Sequence, residues 1–135
     1  MNRLNRKVEY ALMALKYMAR KPAGTLTSAK EISDSLHLPF DATARVLQVM
    51  GQRNWLHVEQ GTLGGYGIGR PLEELSLYDL VAAIEGPVDI ARCIHGEGCD
   101  LLSSCNIHSP ITELNKKVEK FYQGLVLSEI LAVTS

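Results

Sequence analysis

The sequence predicts a mostly α protein with a small β-hairpin, built as a winged helix-turn-helix domain followed by a long C-terminal helix. Three observations indicate this class. Two short helical segments meet at a tight turn near Pro39, and a glycine-containing hairpin follows the second of them. From Ser109, a segment of about 20 residues carries an apolar stripe at helical spacing. We expect three parts: residues 1–75 as the winged domain, 76–108 as a linking helix and loop, and 109–135 as the final helix.

The first two helices are predicted from periodicity and from their end signals. Apolar residues recur at helical spacing over residues 5–20, and Pro22 ends that run. Ser28 and Glu31 form the Ser-x-x-Glu pattern of a capping box, which begins the second helix. That helix ends just before Pro39, because a residue that precedes proline disfavours the helical conformation.

The third helix is expected to begin near Asp41, with Asp41 as its N-cap. One side of it is apolar, and the other side is expected to be polar and exposed. The polar side consists of Thr43, Arg45 and Gln48. Two short helices joined by a tight turn, with exposed polar residues on the second, are typical of the helix-turn-helix that places a recognition helix in the major groove of DNA.

A β-hairpin follows this helix directly. Residues 55–59 and 66–69 read as strands, and the turn between them contains several glycines. A hairpin in this position is a wing, and glycines allow its backbone to approach phosphates closely. A phosphate-binding nucleotide loop is disfavoured, because no helix follows the turn and the Lys-Ser/Thr pair of such loops is absent.

A fourth helix is predicted from Ser76 to Gly86, and the last helix begins at Ser109-Pro110. The apolar stripe of the last helix consists of Leu114, Val118, Phe121, Leu125 and Ile130. A helix so apolar on one side has to cover that side, and packing against its twin in a two-fold homodimer is the simplest arrangement. The alternative is that the helix packs back onto its own domain.

All the cysteines of the chain lie in one loop. Cys93, Cys99 and Cys105 are equally spaced, and His108 follows three residues after the last. Three thiols and an imidazole are soft ligands, which select zinc or an iron–sulfur cluster. Zinc sites usually have more closely spaced ligand pairs, so this wide spacing favours a cluster. A disulfide would need an oxidising compartment, and His95 is more typical of an ordinary loop residue.

Composition and charge restrict the class of protein. The net charge is −1, yet residues 1–60 hold nine basic and five acidic residues and the remainder holds five and ten, giving +4 and −5. A basic front half suggests contact with a polyanion there. The sequence contains neither an apolar run of membrane-spanning length nor a signal-peptide core, so a cytoplasmic protein with reduced thiols is expected. No constellation of catalytic residues stands out, which favours a protein other than an enzyme.

The order of these parts resembles the iron–sulfur winged-helix transcription regulators of the IscR and NsrR type. The resemblance is carried by the wing at 61–66, the segment 70–77 with its continuation to 84–87, and the three cysteines. It implies a homodimer that binds a palindromic DNA operator. It also implies that each subunit holds a four-iron or two-iron cluster through Cys93, Cys99 and Cys105, and that the cluster responds to nitric oxide, redox state or iron supply.

The resemblance offers two candidates for the fourth ligand. A histidine three residues after the last cysteine is the IscR-type ligand and corresponds to His108, whereas an acidic residue on the first helix of the other subunit is the NsrR-type ligand and corresponds to Glu9. Asn54 stands where glycine is usual, and asparagine tolerates the left-handed conformation that the turn needs. The competing functions are a regulator of the same fold with zinc or no metal, and an iron–sulfur carrier that does not bind DNA.

The residues expected to contact DNA fall into three groups. A flexible basic start suits phosphate contacts, and arginine and glutamine are suited to read guanine and adenine edges. The phosphate group is Arg3, Arg6 and Lys7. The base-edge group is Thr43, Arg45 and Gln48. The wing contributes Gln60, Gly64 and Gly65, and Ser28 and Asp41 at the helix starts complete the set.

Overall fold

The computed structural model describes residues 4–91, 94 and 98–133, and it confirms a mostly helical winged fold with one small antiparallel sheet. The element order is α1 Arg6–Ala19, α2 Ala29–Leu36, α3 Phe40–Gln52, β1 Leu56–Glu59, β2 Gly65–Ile68, a 3-10 turn Leu72–Glu74, α4 Leu77–Ile84, α5 His108–Gln123 and α6 Leu127–Val133. Within these described ranges, no helix is both long enough and apolar enough to cross a membrane.

The first three helices pack around one apolar core. Asn5 caps α1, its side-chain oxygen accepting a hydrogen bond from the Lys7 amide at 2.8 Å. One face of α1 is buried, as the spacing predicted, and it packs against α3. The buried residues of α1 are Val8, Ala11, Ala14, Leu15 and Met18.

The turn between α2 and α3 corrects one prediction. His37 ends α2 in the left-handed conformation, with a φ of 56°. Pro39 then occupies the N-cap of α3 without a side-chain cap bond, so the expected cap at Asp41 is wrong. Asp41 lies instead in the first turn of the helix, where a carboxylate interacts favourably with the helix dipole.

The wing is a two-stranded antiparallel ribbon whose register runs from Leu56 opposite Ile68 to Glu59 opposite Gly65. The tight turn before β1 is made by Asn54, which adopts the expected left-handed conformation with a φ of 63°. A further pairing was not predicted. Thr27, just before α2, exchanges two backbone hydrogen bonds of 2.8 Å with Tyr66 of β2. The wing is therefore tied to the start of α2.

The prediction of one continuous C-terminal helix is wrong. Helix α5 begins at His108, with Ile107 as its N-cap, and ends at Gln123, followed by Gly124. Val126 then pairs with Ser76 in an isolated antiparallel bridge before α6 begins. The helix ends there because glycine disfavours helix and Val126 gains a backbone partner.

The segment after this break packs back onto the winged domain. Leu127 is completely buried in the same core as the residues of α1 and α3, and its amide donates to the Leu75 carbonyl at 2.9 Å. The stripe seen in the sequence thus spans two helices. For α6, the alternative of packing on its own domain is the correct one, and α6 contacts the 3-10 turn Leu72–Glu74.

Candidate functional site

Helix α3 presents a polar face on the side away from the core. Asp41, Arg45 and Gln48 are exposed, as expected of residues that reach DNA. Gln52 is also exposed and continues this face at helical spacing. Sequence reasoning missed Gln52, although its separation of four residues from Gln48 was a sufficient signal.

Thr43 does not belong to this face, and the expectation that it is exposed and able to reach base edges is wrong. Its side chain is 0% exposed, and its hydroxyl donates to the Pro39 carbonyl at 2.8 Å. The reason is its position three, four and seven residues before Val46, Leu47 and Met50, which are all buried. The hydroxyl is satisfied inside the first turn of the helix, which lets threonine occupy an apolar face.

A small cleft brings together four of the residues predicted to contact DNA. Ser28, Gln60, Gly64 and Gly65 all line a cleft of about 220 Å³ between the start of α2 and the wing. The Ser28 hydroxyl accepts a hydrogen bond from the Glu31 amide at 3.0 Å and caps α2, as predicted. Backbone amides at a helix start favour anions, whereas Glu59, which also lines this cleft, carries a carboxylate that opposes them.

The wing glycines are required by the fold itself. A side chain at Gly64 would collide with the Glu59 carbonyl. Gly65 has a φ of +149°, and a Cβ atom there would lie 2.8 Å from the Thr27 carbonyl carbon and oxygen. Close packing of backbone on backbone therefore already explains both glycines, apart from any approach to DNA.

Arg6 and Lys7 are exposed at the start of α1, whereas Arg3 lies outside the described residues. Arg6 is paired with Glu9 at 3.8 Å, and both side chains are largely exposed. Such a surface pair is weak, so both groups are accessible to another partner. Glu9 is thus available on the surface of α1, and Arg6 is free to meet a phosphate.

A polar brace that sequence analysis did not anticipate joins α1 to α2. One Glu31 carboxylate oxygen accepts hydrogen bonds from the Tyr17 hydroxyl at 2.6 Å and the Lys21 ammonium at 2.7 Å. The bond from Lys21, followed by that from Tyr17, lowers the pKa of Glu31, and the bond to Glu31 raises the pKa of Lys21. Of the predicted capping box, Ser28 therefore acts as expected, while the Glu31 carboxylate braces the helix pair.

The cysteine loop, residues 93–105, lies between α4 and α5. Cys99 and Cys105 are half-buried and carry free thiols. Short turns connect them: the Leu102 amide donates to the Cys99 carbonyl at 3.1 Å, and the Cys105 amide to the Leu102 carbonyl at 3.4 Å. Cys93 and His95 lie outside the described residues.

The donor types of this loop fit a soft metal centre. Free, reduced thiols are the ligands that iron–sulfur clusters and zinc require. Among the residues that the structure describes, no three His, Cys, Asp or Glu side chains are grouped closely enough to hold a metal ion, and that set lacks Cys93. His108 is exposed as the first residue of α5 and follows Cys105 by one short turn.

Helix α5 exposes two large apolar side chains on its outer side. Leu114 is 49% exposed and Phe121 is 65% exposed, whereas Val118 and Tyr122 on the same helix pack against the core. Large apolar side chains exposed together on one helix commonly mark a contact with another protein surface. Phe121 and Leu114 are seven residues apart and so lie on the same side of α5.

Comparisons with known proteins agree with this architecture. The Rrf2 family model, described as an iron-dependent transcriptional regulator, matches residues 4–132. An HTH-type transcriptional regulator of Haemophilus influenzae is 24% identical over 129 residues, which cover 96% of this chain and 86% of that protein.

Two solved structures share the fold. CymR of B. subtilis, a global cysteine regulator, superposes with a TM-score of 0.74 at 18% identity over the full length of both chains. IscR of T. potens superposes with a TM-score of 0.68 at 16% identity, covering 98% of this chain and 88% of that one.

Proposed function

This chain belongs to the Rrf2 family of transcriptional regulators, and on that premise we propose that an iron–sulfur cluster in the cysteine loop controls its affinity for operator DNA. The observation that carries the proposal is that Cys99 and Cys105 are free thiols in a partly exposed loop. A cysteine kept only for packing is usually buried in the core. The iron dependence in the family description supports the same interpretation.

The proposed ligands are Cys93, Cys99 and Cys105, with His108 or Glu9 as the fourth. When bound, a cluster of this type supplies an iron atom that nitric oxide or oxygen can attack. The thiols bind as thiolates and His108 would bind as a neutral imidazole. His108 would connect the site to the first turn of α5, whereas Glu9 would connect it to α1 and so directly to the DNA-binding helices.

For DNA, we propose that α3 lies in the major groove with Arg45 and Gln48 at the base edges. The cleft lined by Ser28, Gln60, Gly64 and Gly65 then faces the sugar–phosphate backbone or the minor groove. Asp41, on the same exposed face of α3, lies close to the bases and disfavours a phosphate in that position. Arg6 and Lys7, together with Arg3, neutralise phosphates and make the binding salt-dependent.

We further propose a homodimer whose subunits meet through the exposed face of α5. A two-fold dimer would place two recognition helices about one DNA turn apart, which predicts a palindromic operator. Phe121→Glu should abolish the dimer, since it replaces the most exposed large apolar side chain of α5 with a charge. Sedimentation analysis measures this, with Lys120→Glu as a control on the same helix. A Phe121→Glu protein that remains dimeric would contradict the proposed interface.

The cluster is tested by purifying the protein without air and measuring iron, sulfide and visible absorption. Cys99→Ala and Cys105→Ala should each lose stable cluster, whereas Ser103→Ala, in the same loop, should keep it. DNA affinity is measured on a duplex selected from a random pool by the wild-type protein, with and without cluster. A protein that contains no iron and still controls transcription normally would contradict the proposal.

The other outcomes of this experiment are equally informative. A colourless protein that holds zinc would indicate a zinc-based regulator of the same fold. A protein whose DNA affinity changes only on thiol oxidation would indicate a metal-free regulator of that fold. The free thiols of Cys99 and Cys105 make the thiol-based version the second candidate. Glu9→Ala and His108→Ala then identify the fourth ligand, and if both keep a normal spectrum, both assignments are wrong.

A further inference from the structure

Asn115 is an unusual residue in its helix. Along α5, whose residues 108–123 are all described, it is the one buried side chain, with 1% exposure. Burying an amide is costly unless both of its ends find hydrogen-bond partners. The partners that Asn115 finds therefore indicate why a polar side chain occupies this position.

Both ends of the Asn115 amide are used. Its Oδ1 accepts a hydrogen bond from the Ile90 backbone amide at 2.9 Å, and its Nδ2 donates to Glu119 Oε1 at 3.1 Å. The second carboxylate oxygen of Glu119 accepts from the Tyr78 hydroxyl of α4 at 3.3 Å. A chain of hydrogen bonds therefore runs from Ile90 through α5 to α4.

The first partner lies at the entrance of the cysteine loop. Ile90 is three residues before Cys93, and the neighbouring Val88 is 2% exposed and belongs to the core. The exit of the loop leads directly into His108, the first residue of α5. Since residues seven apart share a side of a helix, both ends of the loop are attached to the same side of α5.

The last partner leads to the DNA-binding helices. Tyr78 lies on α4 and packs against the core, in which Leu77, Leu80 and Val81 of the same helix are buried. Helix α4 contacts both α1 and α3. A displacement of the loop entrance can therefore reach the recognition helix through a short series of packed and hydrogen-bonded groups.

We propose that Asn115 is the positioning residue that couples the cysteine loop to the recognition helix, by clamping the Ile90 amide to the Glu119–Tyr78 pair. This inference rests on the proposed function for what the loop senses. The clamp itself depends only on the protein's own residues, so it can be tested with and without a cluster.

The clamp is tested on cluster-free protein. Asn115→Leu removes both bonds, and amide hydrogen exchange at Ile90 should accelerate by about tenfold, the factor expected for one lost hydrogen bond. The thiols of the loop should also react faster with an aromatic disulfide reagent. Asn115→Asp keeps an acceptor for the Ile90 amide and replaces the bond to Glu119 with repulsion between two carboxylates, so exchange at Ile90 should be slower than in Asn115→Leu. Lys116→Ala, the exposed neighbour, is the control.

The coupling is tested by the ratio of DNA affinities with and without the bound cofactor. Tyr78→Phe removes the last bond of the chain and keeps the bond between Asn115 and the Ile90 amide. Cofactor content and Ile90 exchange should therefore match wild type, while the ratio moves towards one. Asn115→Asp should lower the ratio in the same way. If Tyr78 and Asn115 only stabilised the fold, replacing them would lower the stability of the protein and leave this ratio unchanged.

The results that overturn the proposal are distinct from those that overturn the cluster. Wild-type exchange at Ile90 in Asn115→Leu would refute the clamp, and an unchanged affinity ratio in both Tyr78→Phe and Asn115→Asp would refute the coupling. If Asn115→Leu fails to fold, the Asn115→Asp and Tyr78→Phe proteins still decide the coupling. If the wild type holds no cofactor, the same ratio is measured between reduced and oxidised thiols.

Discussion

The winged domain and the cysteine loop differ in the exposure of their apolar side chains. In the winged domain, Leu15 and Leu47 are fully buried, whereas Leu101 and Leu102 of the loop are 65% and 53% exposed. The winged domain is closed by hydrogen bonds between distant segments, such as Thr27 with Tyr66, while the described part of the loop has turns between residues three apart. The conformation of the domain is therefore determined by its own core, whereas the described part of the loop has few buried apolar contacts to stabilise it.

The largest effect is expected when the core of the winged domain loses Leu127, which lies in α6. Leu127→Ala should lower the free energy of unfolding by about 2–5 kcal/mol, because it leaves a cavity among residues of the winged domain. Denaturant unfolding measures this. Leu63→Ala, at the exposed tip of the wing, serves as the control and should change little. Equal stability of the two variants would show that α6 does not belong to the core.

The second prediction concerns the exposed face of α3. Arg45→Ala should weaken binding to the selected duplex by about 1–3 kcal/mol and relax its sequence preference at one position. Fluorescence anisotropy at several salt concentrations measures both effects. Arg53→Ala, exposed at the end of the same helix, is the matched control. If the two arginine variants bind alike, Arg45 is an ordinary surface charge.

A smaller effect is expected at Thr27, which joins the wing to α2. Its hydroxyl is buried and, among the described residues, has no hydrogen-bond partner. Thr27→Val replaces the hydroxyl with a methyl group of similar shape, so stability should be unchanged or rise by up to about 1 kcal/mol. Thermal unfolding measures the change, and Thr27→Ser, which keeps the hydroxyl, should give no gain. A clear loss on Thr27→Val would mean that the hydroxyl does have a partner.

The smallest effect is expected from the brace between α1 and α2. The pKa of Glu31 is lowered by its bonds with Lys21 and Tyr17, so its stabilising contribution is present above the usual carboxyl pKa and is lost as the pH falls through the lowered value. The pKa of Lys21 is raised, so its contribution is present below the usual lysine pKa and is lost as the pH rises through the raised value.

Glu31→Gln should therefore flatten the loss of stability on acidification and reduce stability near neutral pH. Because the pair is partly exposed, the effect should be modest and should shrink at high salt. Unfolding curves at acidic and neutral pH measure it, with Asp34→Asn, an exposed acid on the same helix, as the control. Identical pH dependence in Glu31→Gln and wild type would show that the brace contributes nothing to stability.

Most of the winged domain and the start of α4 could be predicted because their signals are local. The apolar spacing of α1, the cap at Ser76 with its reciprocal bonds to Asp79, and the left-handed turn at Asn54 each depend on neighbouring residues. The same reasoning failed where a distant partner decides the conformation. Val126 leaves the helical pattern because Ser76 offers a backbone partner fifty residues earlier in the chain.

The candidate site shows the same division. The exposure of Arg45 and Gln48 followed from their positions on the polar side of α3. Thr43 lies at helical spacing from the apolar residues of α3, which should have placed it in the core. The cleft lined by Ser28 and Gln60 depends on how α2 packs against the wing. This packing cannot be predicted from any single segment of the sequence. Asn115 was not singled out from the sequence, because its burial depends on the Ile90 amide, which lies 25 residues earlier in the chain.

The insertion of Leu127 has a consequence for how the chain folds. The helices that form most of the winged core precede the cysteines in the sequence, whereas Leu127, which fills the same core, follows them. The core is therefore complete only after the chain has passed through the cysteine loop and returned. Contacts between residues so far apart in sequence are slow to form, so we expect the closing of this core to be a late step of folding.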